Sequence, residues 1–205
     1  MDTLLQSPAT FALIAANVIA SFIAFSNPRF MDQNLFHVGP ILHGKQWYRT
    51  VTSGFLHGDG FHLLMNMYVL YLFGRILEAQ VLGTIGFLIV YFVSLIGGSA
   101  WSLLENRHKP DYRALGASGA TSGLILSFCL FAPFAMLVLI VIPMPAIIFG
   151  ALFIFISAML AQRDNKVIGH EAHLGGALAG LLITMLVEPS ALSIFSEQVV
   201  ARLGG

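Results

Sequence analysis

Ser118 and His173 are the residues of this sequence whose types and surroundings point most directly to chemistry. Ser118 lies in Gly116-Ala117-Ser118-Gly119, where a polar stretch gives way to an apolar one. His173 lies in Ala172-His173-Leu174-Gly175-Gly176-Ala177-Leu178-Ala179-Gly180, within a later apolar run. A hydroxyl nucleophile and an imidazole base, each flanked by small residues inside apolar segments, suggest a serine protease working within a membrane. An ionisable side chain in a membrane span is expensive, so His173 is a functional candidate by default. Gly176 and Gly180 follow it at +3 and +7, which puts the histidine and both glycines on one helical face. Gly119 and Gly123 are four apart, as are Ser118 and Ser122, so that helix also carries small faces, and small faces let helices approach closely in lipid. At the start of its helix Ser118 would have free backbone N–H groups and the positive dipole end beside it, both favourable to a developing oxyanion. The simpler readings are a packing seam for the serines and a backbone-capped structural histidine for His173.

A third cluster is His57-Gly58-Asp59-Gly60-Phe61-His62-Leu63-Leu64-Met65-Asn66. His62 and Asn66 are four apart and project from one helical face. Both can donate hydrogen bonds, as an oxyanion hole requires, and both can equally bridge helices as polar glue. Two familiar motifs fail on spacing. His170-Glu171-Ala172-His173 sets its histidines three apart, where the helical zinc-protease pattern needs four. Gly116-Ala117-Ser118-Gly119-Ala120 lacks the glycine that a nucleophile elbow needs two residues after its serine.

The elements that must position these groups are membrane helices. Hydrophobic residues make up 57% of the 205 and charged residues only 10%, which excludes an ordinary soluble domain. Ten Lys+Arg balance ten Asp+Glu, and no basic block suited to phosphates is present, so nucleic acid is not an expected partner. Cys129 is the single cysteine and lies in an apolar run, which rules out a disulfide within the chain. A bilayer-crossing helix needs about 20 mostly apolar residues. Segments near 9–26, 61–79, 81–104, 117–134, 144–161 and 172–188 meet that need. The expectation is an all-α, six-transmembrane-helix bundle forming one domain over 1–205. The first span reads as retained and not as a signal peptide, because no positive residue precedes it. The connection from Ser26 to Gly60 carries Phe30, Phe36, Trp47, Tyr48 and Phe55, too apolar for simple solvation, and is expected to fold at the interface. Leu192, Phe195, Val199 and Leu203 share a stripe that suggests either a short amphipathic helix on the membrane or a frayed terminus.

In this order the elements closely resemble the rhomboid family of intramembrane serine proteases, in its compact bacterial six-span form. The likeness runs from about Trp47 to Gly180. It rests on Trp47-Tyr48-Arg49 in the first loop, on His57, His62 and Asn66, and on Phe73-Gly74 with Glu78. Gly116-Ala117-Ser118-Gly119 and Ala172-His173 with Gly176 and Gly180 complete it. The resemblance implies a catalytic dyad of Ser118 and His173 without an acidic third member. His62, Asn66 and the Ser118 backbone N–H would hold the oxyanion. Arg49, His57, Glu78, Gly116, Gly119, Gly176 and Gly180 would support the site. No metal or organic cofactor is implied, and the expected partners are the lipid bilayer and transmembrane protein substrates. Many family members place an aromatic residue one turn after the serine, stacked on the catalytic imidazole, where this chain has Ser122. What holds the ring of His173 is not given by the sequence.

The resemblance further implies a multi-pass protein of the bacterial inner membrane with its catalytic side outside the cytoplasm. Charge points the other way. Arg29, Lys45, Arg49, Arg107, Lys109, Arg113, Arg163 and Lys166 fall in the first, third and fifth connections, against Arg75 and Arg202 on the other side. Two further functions stay open. One is a catalytically silent relative that binds membrane helices. The other is a small transporter using His57, His62, His170 and His173.

Overall fold

A computed structural model describes residues 5–137, 143–161 and 169–204, with the backbone alone for 157–161. Arg163 and Lys166 of the charge count lie outside the described residues. Helix α1 spans Pro8–Ser26. The first connection then folds as α2 (Pro28–Asn34), a two-residue strand β1 (Phe36–His37), α3 (Val38–Leu42), α4 (Arg49–Thr52) and a 3-10 turn at Ser53–Phe55. Strand β1 pairs antiparallel with β2 (Arg113–Ala114), which ties the first connection to the third. Helix α5 (Gly60–Val69) continues through two wide-turned π-helical segments, Leu70–Gly74 and Leu77–Leu82. It is followed by α6 (Gly83–Asn106), α7 (Ser118–Phe131), a short hairpin of β3 (Met136–Leu137) and β4 (Met144–Pro145), α8 (Ala146–Ala161), α9 (His170–Val187) and α10 (Ala191–Leu203).

Helical structure from Gly60 to Asn106 covers 47 residues. At 1.5 Å per residue that would be about 70 Å, more than twice the hydrocarbon thickness. The packing against α7 shows the chain reversing inside it. Asn66 meets Thr121 and Phe73 meets Phe128, so α5 runs parallel to α7. Gly98 faces Gly119, and Ser94 faces Gly123, so α6 runs antiparallel. The reversal falls at Gly83, whose φ of 64° is a backbone conformation that glycine adopts without penalty.

Helices overlap the six apolar segments marked out from the sequence, but not all of them have the length of a membrane span. By length and composition, Pro8–Ser26, Gly60–Asn106 and His170–Val187 are long enough to cross a membrane. The segment expected at 117–134 is shorter than predicted. Helix α7 stops at Phe131 because Pro133 cannot continue it, and its 14 residues reach only about 21 Å. The bundle is apolar outside as well as inside. Ile19, Phe22, Ile85, Phe155, Leu182 and Leu186 are exposed, while Asn17, Ser94, Ser127 and Thr184 are buried between helices. That inversion belongs to a protein whose solvent is lipid.

Helices α6, α7 and α9 meet along a seam of small residues. A β-carbon placed on Gly176 would collide with the Gly119 backbone, and one on Gly180 would collide with Gly123 and the Ser94 side chain. Ser127 Oγ and Thr184 Oγ1 lie 2.6 Å apart further along the seam. The tail folds as α10 and docks partly on the bundle. Gln198 donates to the Phe131 carbonyl at 2.8 Å, satisfying an end group of α7, and Arg202 sits over the Phe134 ring.

Candidate active site

Ser118 is the first residue of α7. Thr121 N–H makes the first turn's bond back to the Ala117 carbonyl at 3.0 Å, so the N–H groups of Ser118, Gly119 and Ala120 precede that ladder. Gly116, just before it, has φ 121°, a region that a side chain would strain. A β-carbon there would also press on His62, lying 2.8 Å from Cε1 and 2.9 Å from Nε2. It would lie 3.8 Å from Ser118 Oγ. Glycine at 116 thus lets the His62 ring lie against the backbone beside the serine.

His173 enters from α9. The Gly119–Gly176 crossing sets the register, since His173 is three residues before Gly176 and Ser118 is next to Gly119. Ser118, His173, His62 and Asn66 all line one cavity of about 700 Å³, together with Gly58, Asp59, Tyr112, Arg113 and Gly119. Asp59, just before α5, and Arg113, in β2 of the third connection, are both exposed, so the cavity opens at the end of the bundle where these connections lie. Among the described residues, the Ser118 hydroxyl makes no hydrogen bond to His173, the bond that the dyad implied by the resemblance would use. Hydrogen bonds of this kind are commonly long without substrate and tighten on its binding.

The other expected residues fall into two groups. His62 and Asn66 face the cavity. Gly58 N–H reaches His62 Nδ1 at 3.5 Å, and an acceptor at Nδ1 puts the proton of the neutral ring on Nε2, the atom nearest Gly116. Asn66 Nδ2 spends one hydrogen on the His62 carbonyl at 3.0 Å, and its Oδ1 accepts from Thr121. Its second amide hydrogen is left for the cavity. Asp59 caps α5 through His62 N–H at 2.8 Å and so fixes the helix start on which both residues depend.

Arg49, His57 and Glu78 make the frame. Arg49 is buried and donates to the carbonyls of Asp32 and Leu35 at 2.6 and 2.9 Å and to Gln46, knitting the first connection together. His57, fully buried, accepts from Ala117 N–H at Nε2 (3.4 Å) and sits 2.9 Å from Ser21 Oγ through Nδ1. It therefore links α1 to the residue before the serine. Burial, with a smaller contribution from His62, lowers its pKa to about 4, so the ring is neutral at pH 7. Glu78 lies at the far end of the bundle. It accepts from Ala9 N–H, Thr10 N–H, Thr10 Oγ1 and Thr84 Oγ1 at 2.7–2.9 Å, capping α1 from another helix. Glu171 turns away from His173, accepting from Asn106 at 3.1 Å and from the Tyr112 hydroxyl.

Sequence reasoning missed Phe153. Its ring, from α8, stacks on His173 with centroids 5.9 Å apart and planes 25° from parallel. His170 meets the same imidazole edge-on at 5.6 Å and 86°. The only signal for Phe153 was the Ser122 departure, which says that a ring is wanting and not where it comes from.

The model of the Rhomboid domain family matches residues 44–190. The chain belongs to the rhomboid family. It is 36% identical over 140 residues to Rhomboid protein 1, mitochondrial, of Saccharomyces cerevisiae, covering 64% of this chain and 39% of that protein. It is 30% identical over 167 residues to RHOMBOID-like protein 12, mitochondrial, of Arabidopsis thaliana, covering 74% of this chain and 49% of that one. Rhomboid-like protease 5 of Toxoplasma gondii is 30% identical over 165 residues, covering 76% of this chain and 18% of the protease. The chain thus spans half or less of each of these relatives. Rhomboid membership and the apolar helices make it an integral membrane protein, and the mitochondrial relatives lend no support to a bacterial inner membrane.

Proposed function

We propose that this chain is an intramembrane serine endopeptidase that cleaves single-span membrane proteins in or near their transmembrane helix. The observation that carries the reading is the convergence of Ser118, His173, His62 and Asn66 on one cavity at the start of α7. His173 takes the Ser118 proton as Oγ attacks the scissile carbonyl, and the carbonyl oxygen becomes an anion. Donors from Asn66, His62 Nε2 and the Ser118 N–H stabilise that charge. Collapse breaks the C–N bond while His173 hands its proton to the leaving amine. A water from the loop-side opening then repeats the sequence on the acyl-enzyme, regenerating Ser118. The active-site side faces away from the cytoplasm in this reading, against the charge count.

Small residues line α7 and α9 beside Ser118, so the residue before the cleaved bond is small, and a helix breaker nearby frees the substrate carbonyl. The test is cleavage of a panel of single-span proteins in detergent or liposomes. Cutting after Ala, Gly, Ser or Cys near a Gly or Pro is expected, with Phe or Val at that position abolishing it and chelators doing nothing. Equal cleavage of all variants, or inhibition by a chelator, contradicts the proposal. Relatives named rhomboid-like leave a silent helix-binding protein as the second reading. That reading expects binding to the same panel with no product.

A further inference from the structure

His173 lines two cavities. On one side is the 700 Å³ space shared with Ser118, His62 and Asn66. On the other is a space of about 340 Å³ lined by Phe149, Leu152, Phe153, Ile156 and His170, almost wholly apolar. An imidazole on a helix turns about two side-chain torsions, the outer of them broad, so its backbone alone does not decide which way a ring nitrogen faces. In this bundle the decision falls to α8. Phe153 lays its face against His173 at 5.9 Å and 25°, and Phe149, one turn earlier, backs Phe153 at 6.1 Å and 25°. His170 supplies the edge contact. The helix carrying the nucleophile contributes no ring, because Ser122 is spent on the Ser118 carbonyl at 2.5 Å.

We propose that Phe153 is a positioning residue for the reaction: its ring bars the imidazole of His173 from the apolar cavity and keeps a ring nitrogen turned toward Ser118. The proposal rests on the Ser118–His173 reading above. It assigns orientation of the base to a helix that carries neither the nucleophile nor the base. A face-stacked ring pair is worth enough to shift a rotamer balance about 10-fold. Only orientation is affected, so the change belongs in kcat and not in KM.

The experiment measures kcat and KM for a cleaved single-span substrate, and the rate at which a fluorophosphonate labels Ser118, in purified full-length variants. Phe153→Leu and Phe153→Met keep an apolar side chain of similar reach without a ring, and Met adapts to the space if Leu unfolds the protein. Both are expected to lower kcat and the labelling rate about 10-fold with KM within about twofold, while Phe153→Tyr stays within about twofold of wild type in both. Wild-type kcat in a folded ring-less variant, a change confined to KM, or an equal loss in Phe153→Tyr overturns the proposal. Ser118→Ala and His173→Ala in the same assay separate the two levels. If they still cleave, the dyad itself is wrong; if they are dead while Phe153→Met is unaffected, only the role of Phe153 falls.

Discussion

At one end of the bundle the Glu78 carboxylate is buried and accepts four hydrogen bonds from the starts of α1 and α6. At the other end Ser118 Oγ and His62 Nε2 make no hydrogen bond among the described residues, and Asn66 keeps an amide hydrogen unspent. Both regions hold polar side chains deep in an apolar protein, where an unmet polar group costs about 1–3 kcal/mol. The first region spends every partner on the fold. The second leaves donors unspent around an open cavity. Under the proposed function, saturation marks structure and unspent capacity facing the cavity marks chemistry.

The largest expected contrast is between loss of activity and loss of stability. Ser118→Ala and His173→Ala should each lower kcat/KM by about 10³-fold or more, and the double variant no further, because the pair acts as a unit. Thermal unfolding should barely change. Additive losses, or a collapse of Tm, would move these residues to the structural side. Next in size is Asn66→Ala, with His62→Ala close to it. On the proposed function each removes a donor aimed at developing charge, so kcat should fall about 10- to 10³-fold with a smaller change in KM.

Glu78→Ala should behave in the opposite way. It strands the Ala9 and Thr10 N–H groups and should destabilise the fold by about 3 kcal/mol, with kcat per folded molecule unchanged. The smallest effect concerns His57, which belongs to the frame although it lies beside the site. Its pKa falls from 6.5 unfolded to about 4 folded, so the unfolded chain binds the extra proton. Stability present above pH 6.5 is then lost as pH falls toward 4, by about 2 kcal/mol at pH 5. His57→Asn should flatten that part of the Tm-against-pH curve, and an unaltered slope would show that His57 does not titrate on unfolding.

How much was legible beforehand follows the same division. Ser118, Gly119, His173, Gly176 and Gly180 stand at helical spacings that sequence displays directly, and Gly176 and Gly180 pack on Gly119 and Gly123 along those faces. Gly83 was not read as the reversal, because the third apolar segment, 81–104, runs straight through it. Partners far apart in the chain were not visible. Nothing near Glu78 names Thr10, 68 residues away, as its donor. Phe153 was hidden for a different reason. Helix α8 contains Phe149, Phe153 and Phe155 in an unbroken apolar run, so no contrast between faces shows which ring turns inward. The premature end of α7 was signalled by Pro133 but masked by the apolar residues around it.

The central claim is that Ser118 is a nucleophile activated by His173. Intact mass spectrometry after treatment with a fluorophosphonate tests it most directly, since the adduct forms on an activated serine and needs no knowledge of the natural substrate. One adduct per chain is predicted, mapped to Ser118, abolished by Ser118→Ala and slowed at least about 10³-fold by His173→Ala. An adduct that persists in Ser118→Ala, or no adduct on folded wild-type protein, would contradict the account.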